Sequence, residues 1–171
     1  MVSIEQVAKA IDLAIEAHVE QIDKVGRTYL LHLSQVAGMS RNDDEFVVAW
    51  LHDYLEDNTL YSSEEIIKTL LDNFPDDIVK AIIAITKPMD MSREDYIAQV
   101  AKNPLAARVK YYDIRSNCDI TRLKLLPHET ALKLLAKYKR DVNQLIDAGV
   151  LKHGQIKFIE RAEISFREKE K

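Results

Sequence analysis

The sequence predicts an all-α protein, a single-domain helical bundle, and three observations carry that expectation. Apolar residues recur at three- and four-residue spacing through most of the 171 residues. Several of these runs open on a Ser followed three residues later by Gln, Glu or Asp, the pattern of a helix N-terminus. Only four glycines and four prolines are present, too few for the turns of a many-stranded sheet.

Ser3 and Gln6 form a capping box for a first helix. Its stripe Ile4, Val7, Ile11, Ile15, Val19 and Ile22 is expected to face the core, with Gly26 ending it. A second helix starts near Tyr29 and carries His32, Val36 and Ala37, before a short polar break from Gly38 to Asn42. The central helix is expected from about Asp43 to Asp57. Ser62 and Glu65 cap another through Leu71, with Ile66, Ile67, Leu70 and Leu71 inward. Pro75 belongs to a first helical turn, and Ile78, Ile82 and Ile83 continue inward. After a loop from Thr86 to Met91, Ser92 and Asp95 cap a short helix carrying Tyr96, Ile97 and Val100.

Pro104 opens a long helix expected to reach about Leu123. Its inward row is Ala106, Val109, Asp113, Ser116, Ile120 and Leu123, so Asp113 occupies a place where an apolar residue is expected. Pro127 and His128 precede a helix through Leu145, with Leu132, Leu135, Tyr138, Val142 and Leu145 inward. Gly149 and Gly154 bracket a turn, and a last helix over about 155–168 uses Ile156, Ile159, Ala162 and Phe166. Arg167 to Lys171 is expected to be a solvated charged tail. Residues 1–171 read as one domain, since no repeat or low-complexity linker divides them.

Composition narrows the function classes. At 47% apolar residues the chain can build a core. A net charge of -4 gives no general attraction to nucleic acid or anionic membrane, so an anionic ligand needs a local basic pocket. The basic run Lys137 to Arg140 reads as a solvated helix face. Cys118, the single cysteine, excludes an internal disulfide and fits a reducing cytoplasm, and it reads as a small core residue. The first residues are amphipathic and acidic, unlike a signal peptide, and no apolar run is long enough to span a membrane.

The stretch with chemistry is Trp50-Leu51-His52-Asp53-Tyr54-Leu55-Glu56-Asp57. On one continuous helix, the pairs His52/Glu56 and Asp53/Asp57 would lie side by side on one face. Phe46 to Leu51 is apolar all round, so these ionisable groups adjoin a core. Buried charges need partners, and a cation bound between carboxylate and imidazole provides one. The other histidines read as structural: His18 as a core residue, His128 and His153 as exposed ones.

His32, the pair His52-Asp53 and Asp113, taken together, resemble the HD-domain phosphohydrolases. The resemblance is closer still to the hydrolase domain of Rel/SpoT-type alarmone enzymes and their small stand-alone relatives. Ala17-His18, Gln21, Lys24, Gly26, Tyr29 and His32 resemble the first motif of that family. His52 to Asp57 are similar to its next motif, and Val109-Lys110, Asp113, Asn117 and Asp119 to its third; Thr86-Lys87 also fits. The likeness covers roughly Ile4 to Leu145, with core motifs in 17–119. There are departures. Asp23 stands where the bifunctional enzymes have a guanine-contacting Arg, and Leu33 stands where Pro usually follows the early His.

The resemblance implies a metal held by His32, His52, Asp53 and Asp113. That nitrogen and oxygen mixture suits Mn²⁺, Fe²⁺ or Zn²⁺ better than Mg²⁺ or Ca²⁺, and the family points to Mn²⁺. It implies Glu56 and Asp57 as the pair that orients and deprotonates the attacking water. Lys24, Arg27 and Lys110 are expected to neutralise phosphate, with Arg27 replacing charge lost at position 23. Asn117 is expected to bond the nucleoside, and Tyr29 to line the pocket. The expected function is hydrolysis of the 3′-pyrophosphate of ppGpp or a similar nucleotide. The same site on a nucleoside monophosphate or dNTP, and a non-catalytic nucleotide-binding regulator, stay open as alternatives. The expected partner is thus a phosphorylated nucleotide, with neither nucleic acid nor membrane.

Overall fold

The computed structural model describes residues 1–167, the last by its backbone alone; the charged tail expected at Arg167 to Lys171 otherwise lies outside the described residues. These residues form eleven α-helices and one short 3-10 turn. They are α1 (Ile4–His18), α2 (Tyr29–Ala37), α3 (Asp43–Leu51), α4 (Tyr54–Asp57), α5 (Ser63–Asn73) and α6 (Asp76–Ile85), then α7 (Arg93–Ala101), α8 (Pro104–Asn117), α9 (Ile120–Leu123), α10 (His128–Asp147) and α11 (Lys157–Arg167). The only pairing of strand type among the described residues is an isolated bridge between Ile22 and Thr28. None of the helices is long and apolar enough to cross a membrane.

The bundle is organised on α3 and α8. In α3, Val47, Val48, Ala49 and Leu51 are fully buried, as an all-round apolar helix must be. It packs on α1, α2, α6 and α8, while α8 also meets α2, α6, α7 and α10. The outer side is closed by α10 against α7 and α11. Truncating Leu51 to Ala would cost about 2–5 kcal/mol, by lost burial and the cavity left behind.

The N-terminal caps form as read: Ser3, Ser62 and Ser92 each accept from a backbone N–H three residues on, and the first two complete capping boxes. Three expectations are corrected. First, α1 stops at His18, and the face it buries is Ala10, Leu13, Ala14 and His18. Ile4, Ile15, Val19 and Ile22 are exposed. Two alanines one turn apart let α1 approach α3 closely, and backbone proximity decides the face more than side-chain size does. Leu71 and Ile83 are likewise exposed rather than inward.

Second, the central helix breaks after Leu51. Asp53 leaves helical geometry at φ -106 and ψ 1, and α4 restarts at Tyr54. Third, α8 ends at Asn117 instead of Leu123. Asp119 restarts the chain by accepting from the N–H groups of Thr121 (2.7 Å) and Arg122 (3.3 Å), which opens α9.

Between α1 and α2 the chain makes a tight loop. The Asp23 N–H donates to the Arg27 carbonyl at 2.7 Å, and Gly26 takes φ 78, a left-handed conformation that suits glycine. This loop sets Asp23 and Lys24 over the end of α8.

Candidate metal centre and phosphate cleft

Three segments bring four ligand-type side chains together, His32, His52 and Asp53 as a tight group and Asp113 reaching both imidazoles. His32 comes from α2, His52 and Asp53 from the α3–α4 junction, and Asp113 from α8. Nε2 of His52 lies 2.9 Å from Oδ2 of Asp53 and 3.8 Å from Oδ1 of Asp113. Nε2 of His32 lies 3.3 Å from that same Asp113 oxygen and 4.0 Å from Asp53 Oδ2. Ligand-type atoms of His32, His52 and Asp53 all fall within 4.8 Å of one another. The break in the central helix makes this possible. Consecutive side chains on a regular helix diverge by about 100°, and only the turn at Asp53 aims its carboxylate back at the ring before it.

The hydrogen bonds of the two rings fix which nitrogen faces inward. His52 Nδ1 donates to the Ala49 carbonyl at 2.7 Å. Ser116 Oγ donates to Gln35 Oε1 (3.1 Å), so its lone pair accepts from His32 Nδ1 (3.0 Å). Both Nε2 atoms therefore face Asp53 and Asp113, and each offers its lone pair there when the ring is neutral. His52 Nε2 is buried and, despite the 2.9 Å contact, is not aligned with Asp53 as a hydrogen bond. A buried orphaned nitrogen facing two carboxylate oxygens is the donor set a divalent cation satisfies. Burial opposes a proton on His52, yet Asp53 and Asp113 hold its pKa up to about 9. Burial likewise opposes charge on Asp53, which His52 nonetheless keeps well below the ordinary carboxylate range.

Three residues expected at the substrate line the cleft and also hold the centre in place. Lys110 is buried, lies over the Tyr96 ring and donates to Asp113 Oδ2 at 2.7 Å. Burial opposes its charge, but Asp113 keeps the ammonium protonated well above its usual value. Tyr29 donates to Asp53 Oδ2 at 2.5 Å, and burial with Asp53 raises its hydroxyl far above the normal range, so it stays a donor. Asn117 donates to Asp113 Oδ1 at 2.5 Å and accepts from Arg122 Nη1 at 2.9 Å. Its amide is therefore engaged on both sides.

Asp23 has a comparable role. Oδ1 accepts from the N–H groups of Val25 and Arg27, both at 2.9 Å, and Oδ2 accepts from Arg122 Nε at 3.2 Å. Charge missing at position 23 thus reaches the cleft through Arg122, from a residue 99 positions away. The expectation that Arg27 does this is corrected. Its side chain is exposed and lines a small neighbouring cavity, not the cleft.

The cleft over the centre holds about 360 Å³ and opens between the Asp23 loop, α4, the Thr86–Met91 loop and α10. Glu56 is exposed at its rim, and its Oε2 accepts from the Lys87 N–H at 3.2 Å. Asp57 accepts from Gln21 Nε2 at 2.9 Å, and Gln21 is itself braced by buried His18 at 2.6 Å. Lys24, Lys87, Arg93, Arg122 and Lys137 add positive charge to the lining. Arg93 is held by Asp141 at 2.5 Å, whereas Lys24, Lys87 and Lys137 make no ion pair among the described residues.

Lys137 corrects the reading of residues 137–140 as a solvated face. It is half-buried in the cleft, with its ammonium 4.9 Å from the Tyr138 ring centroid. Burial, then Arg93, Lys110 and Lys24 nearby, lower its pKa. The available signal was its place beside inward Tyr138. Arg93 and Arg122 carried no such signal, since their partners are far away in sequence.

No family model matches the chain. Among solved structures it is similar to a metazoan ortholog of SpoT that hydrolyses ppGpp and plays a role in starvation responses. The TM-score is 0.74, the identity 16%, and the match covers 99% of this chain and 98% of that one. At this identity the likeness shows a shared fold, over nearly the whole of both chains.

Proposed function

We propose that the chain is a metal-dependent phosphohydrolase acting on a phosphorylated nucleotide, with the 3′-pyrophosphate of ppGpp as the leading substrate. The observation that carries this reading is one cleft holding both kinds of group the reaction needs. Asp53 and Asp113 line its base with two imidazole nitrogens facing them, and three lysines that make no ion pair among the described residues surround them. The fold shared with a ppGpp hydrolase supports the same substrate class.

His32, His52, Asp53 and Asp113 would hold the cation, with Mn²⁺ the choice suited to mixed nitrogen and oxygen donors. When bound, the cation supplies a Lewis acid and a water acidified from about 16 toward neutral. Glu56 would accept a proton from the attacking water, and Asp57, braced by Gln21, would orient that water. Lys24, Lys87 and Lys137 bind the phosphate oxygens and offset charge that grows as the bond to the ribose 3′ oxygen breaks. Water adds across that bond, so ppGpp becomes GDP and pyrophosphate. Such a substrate belongs to the cytoplasm, and the reading places the protein there.

A different reading keeps the site and changes the substrate to a nucleoside monophosphate, a dNTP or another phosphorylated nucleotide, and Asp23 with Arg122 favours it. The carboxylate is fully used by two backbone N–H groups and a guanidinium, and so is the Asn117 amide expected at the nucleoside. The test is purified protein with Mn²⁺ and a panel of ppGpp, GMP and dNTPs, with products separated by chromatography. Pyrophosphate from ppGpp supports the first reading. Turnover of other nucleotides alone supports the other, and tight binding without any turnover leaves a regulator instead.

A further inference from the structure

Helix α8 has two polar faces, and only one serves the metal centre. Lys110, Asp113 and Asn117 point at the cations and carboxylates described above. Arg108, Tyr111, Tyr112 and Arg115 form the other stripe, at the i, i+3, i+4, i+7 spacing where a core-facing row is normally apolar. This stripe is one wall of a second cleft of about 670 Å³, closed by Met39 and Arg41 before α3 and by residues 150–155 after α10. Tyr111 ties the walls together by donating to the Gln155 carbonyl at 3.3 Å.

The charge balance of this cleft is one-sided. Four cations line it: Arg41, Arg108, Arg115 and Lys152. The one carboxylate beneath them is Glu45, 2% exposed, and it is already saturated. It accepts from Arg108 Nε at 2.7 Å, from the Arg41 N–H at 2.9 Å and from the Tyr112 hydroxyl at 2.9 Å. Arg41, Arg115 and Lys152 have no ion pair among the described residues, in a chain whose net charge is -4. Arg115 is held in place by rings, its guanidinium carbon lying 5.8 Å from the Tyr111 centroid and 5.9 Å from that of Phe158. The floor is not charged: Leu151 is buried, and Met39 and Val150 are half-buried.

We propose that this cleft is a second binding site, for a small organic phosphate. Its phosphate groups meet Arg41, Arg115 and Lys152, and its apolar part lies on Met39, Val150 and Tyr111. A concave site of this size with an apolar floor and a few convergent charges fits a small molecule. Arginine stacked on aromatic rings keeps its N–H fork free for phosphate oxygens. The site faces away from the metal centre and does not depend on the reaction assigned there.

The test is calorimetric titration of ADP, and of adenosine as the uncharged control, into the full chain without metal at low salt. Two variants address the second cleft at exposed positions, Arg41→Glu and Lys152→Glu. A third, Lys24→Glu with Lys137→Glu, addresses the first cleft. The expected result is an ADP binding event that each second-cleft variant weakens by about tenfold, that the first-cleft variant leaves in place, and that adenosine does not give. ADP binding untouched by Arg41→Glu and Lys152→Glu, or lost only with the first-cleft variant, overturns the proposal. So does adenosine binding as tightly as ADP. Single-stranded RNA binding that needs Arg41 and Lys152, with no ADP event, also overturns it in favour of a macromolecular ligand.

Discussion

Ser116 Oγ stands 3.0 Å from Nδ1 of His32 and donates its own hydrogen bond to Gln35, so toward the ring the serine acts as an acceptor that settles its tautomer. With alanine at 116 the imidazole can rotate or carry its proton on Nε2, and the inward lone pair is no longer assured. The substitution removes one small buried group, so the fold should persist. Metal affinity is expected to fall about 10–100-fold, the usual cost of losing such an outer partner. Competition with a chelator, read by metal-dependent quenching of Trp50 or by calorimetry, measures it. Unchanged affinity in Ser116→Ala would show that packing alone orients His32.

Asp53 and Glu56 are three residues apart but have separable roles. Asp53 faces both imidazoles, whereas Glu56 reaches the cleft rim, where its side chain accepts from the Lys87 N–H. Asp53→Ala is expected to lose both metal and activity. Glu56→Ala should keep the metal and lose on the order of 10²–10⁴ in rate, the usual share of a general base. Metal stoichiometry and single-turnover rates on the same samples separate the two. Equal metal content and equal rates in both variants and the parent would refute the assignment.

Much of this arrangement was legible because it broke local rules. Asp113 in an inward row and a cluster of ionisable groups against an apolar run both conflict with a plain core, and such conflicts mark functional positions. Helix starts were legible because caps are local chemistry. The break at Asp53 was not, since no Gly or Pro marks it and the helix is interrupted to suit a tertiary site. Nor was the buried face of α1, because alanine and isoleucine rows both satisfy helical periodicity and only the approach of α3 chooses between them. The Asp23–Arg122 pair joins residues no spacing rule connects. Lys110 reads as a phosphate ligand in the sequence although Asp113 stands three residues on, because that carboxylate is already assigned to the metal.

Lys137 should matter to substrate more than to metal. Its ammonium is half-buried beside Arg93, Lys110 and Lys24, and the carboxylate that favours its charge, Asp141, is already held by Arg93, an arrangement that is costly until an anion arrives. Lys137→Ala removes that repulsion, so the folded protein should be no less stable. The KM for a polyphosphorylated nucleotide is expected to rise about tenfold or more, since a charged hydrogen bond is worth roughly 1.5–3 kcal/mol. Metal affinity should change little. Steady-state kinetics beside a thermal melt provide the check, and an unaltered KM would remove Lys137 from the phosphate site.

Glu45 gives the fold a dependence on acid that has nothing to do with the metal. Burial opposes its charge, but the Arg41 N–H, the Tyr112 hydroxyl and the Arg108 guanidinium together hold its carboxyl below the usual range. A pKa lowered in the folded state adds stability that is fully present above the unfolded value of 4.5. It is lost as pH falls through the folded value, where the carboxyl takes up a proton and the three donors lose their anion. Glu45→Gln keeps the shape and removes that titration. The variant should be less stable at neutral pH by about 1–3 kcal/mol, because a charged acceptor is lost. Its stability should also fall less steeply between neutrality and strong acid than that of the parent. Denaturant melts of both proteins across that range decide it: parallel pH profiles would mean that Glu45 does not carry the acid sensitivity.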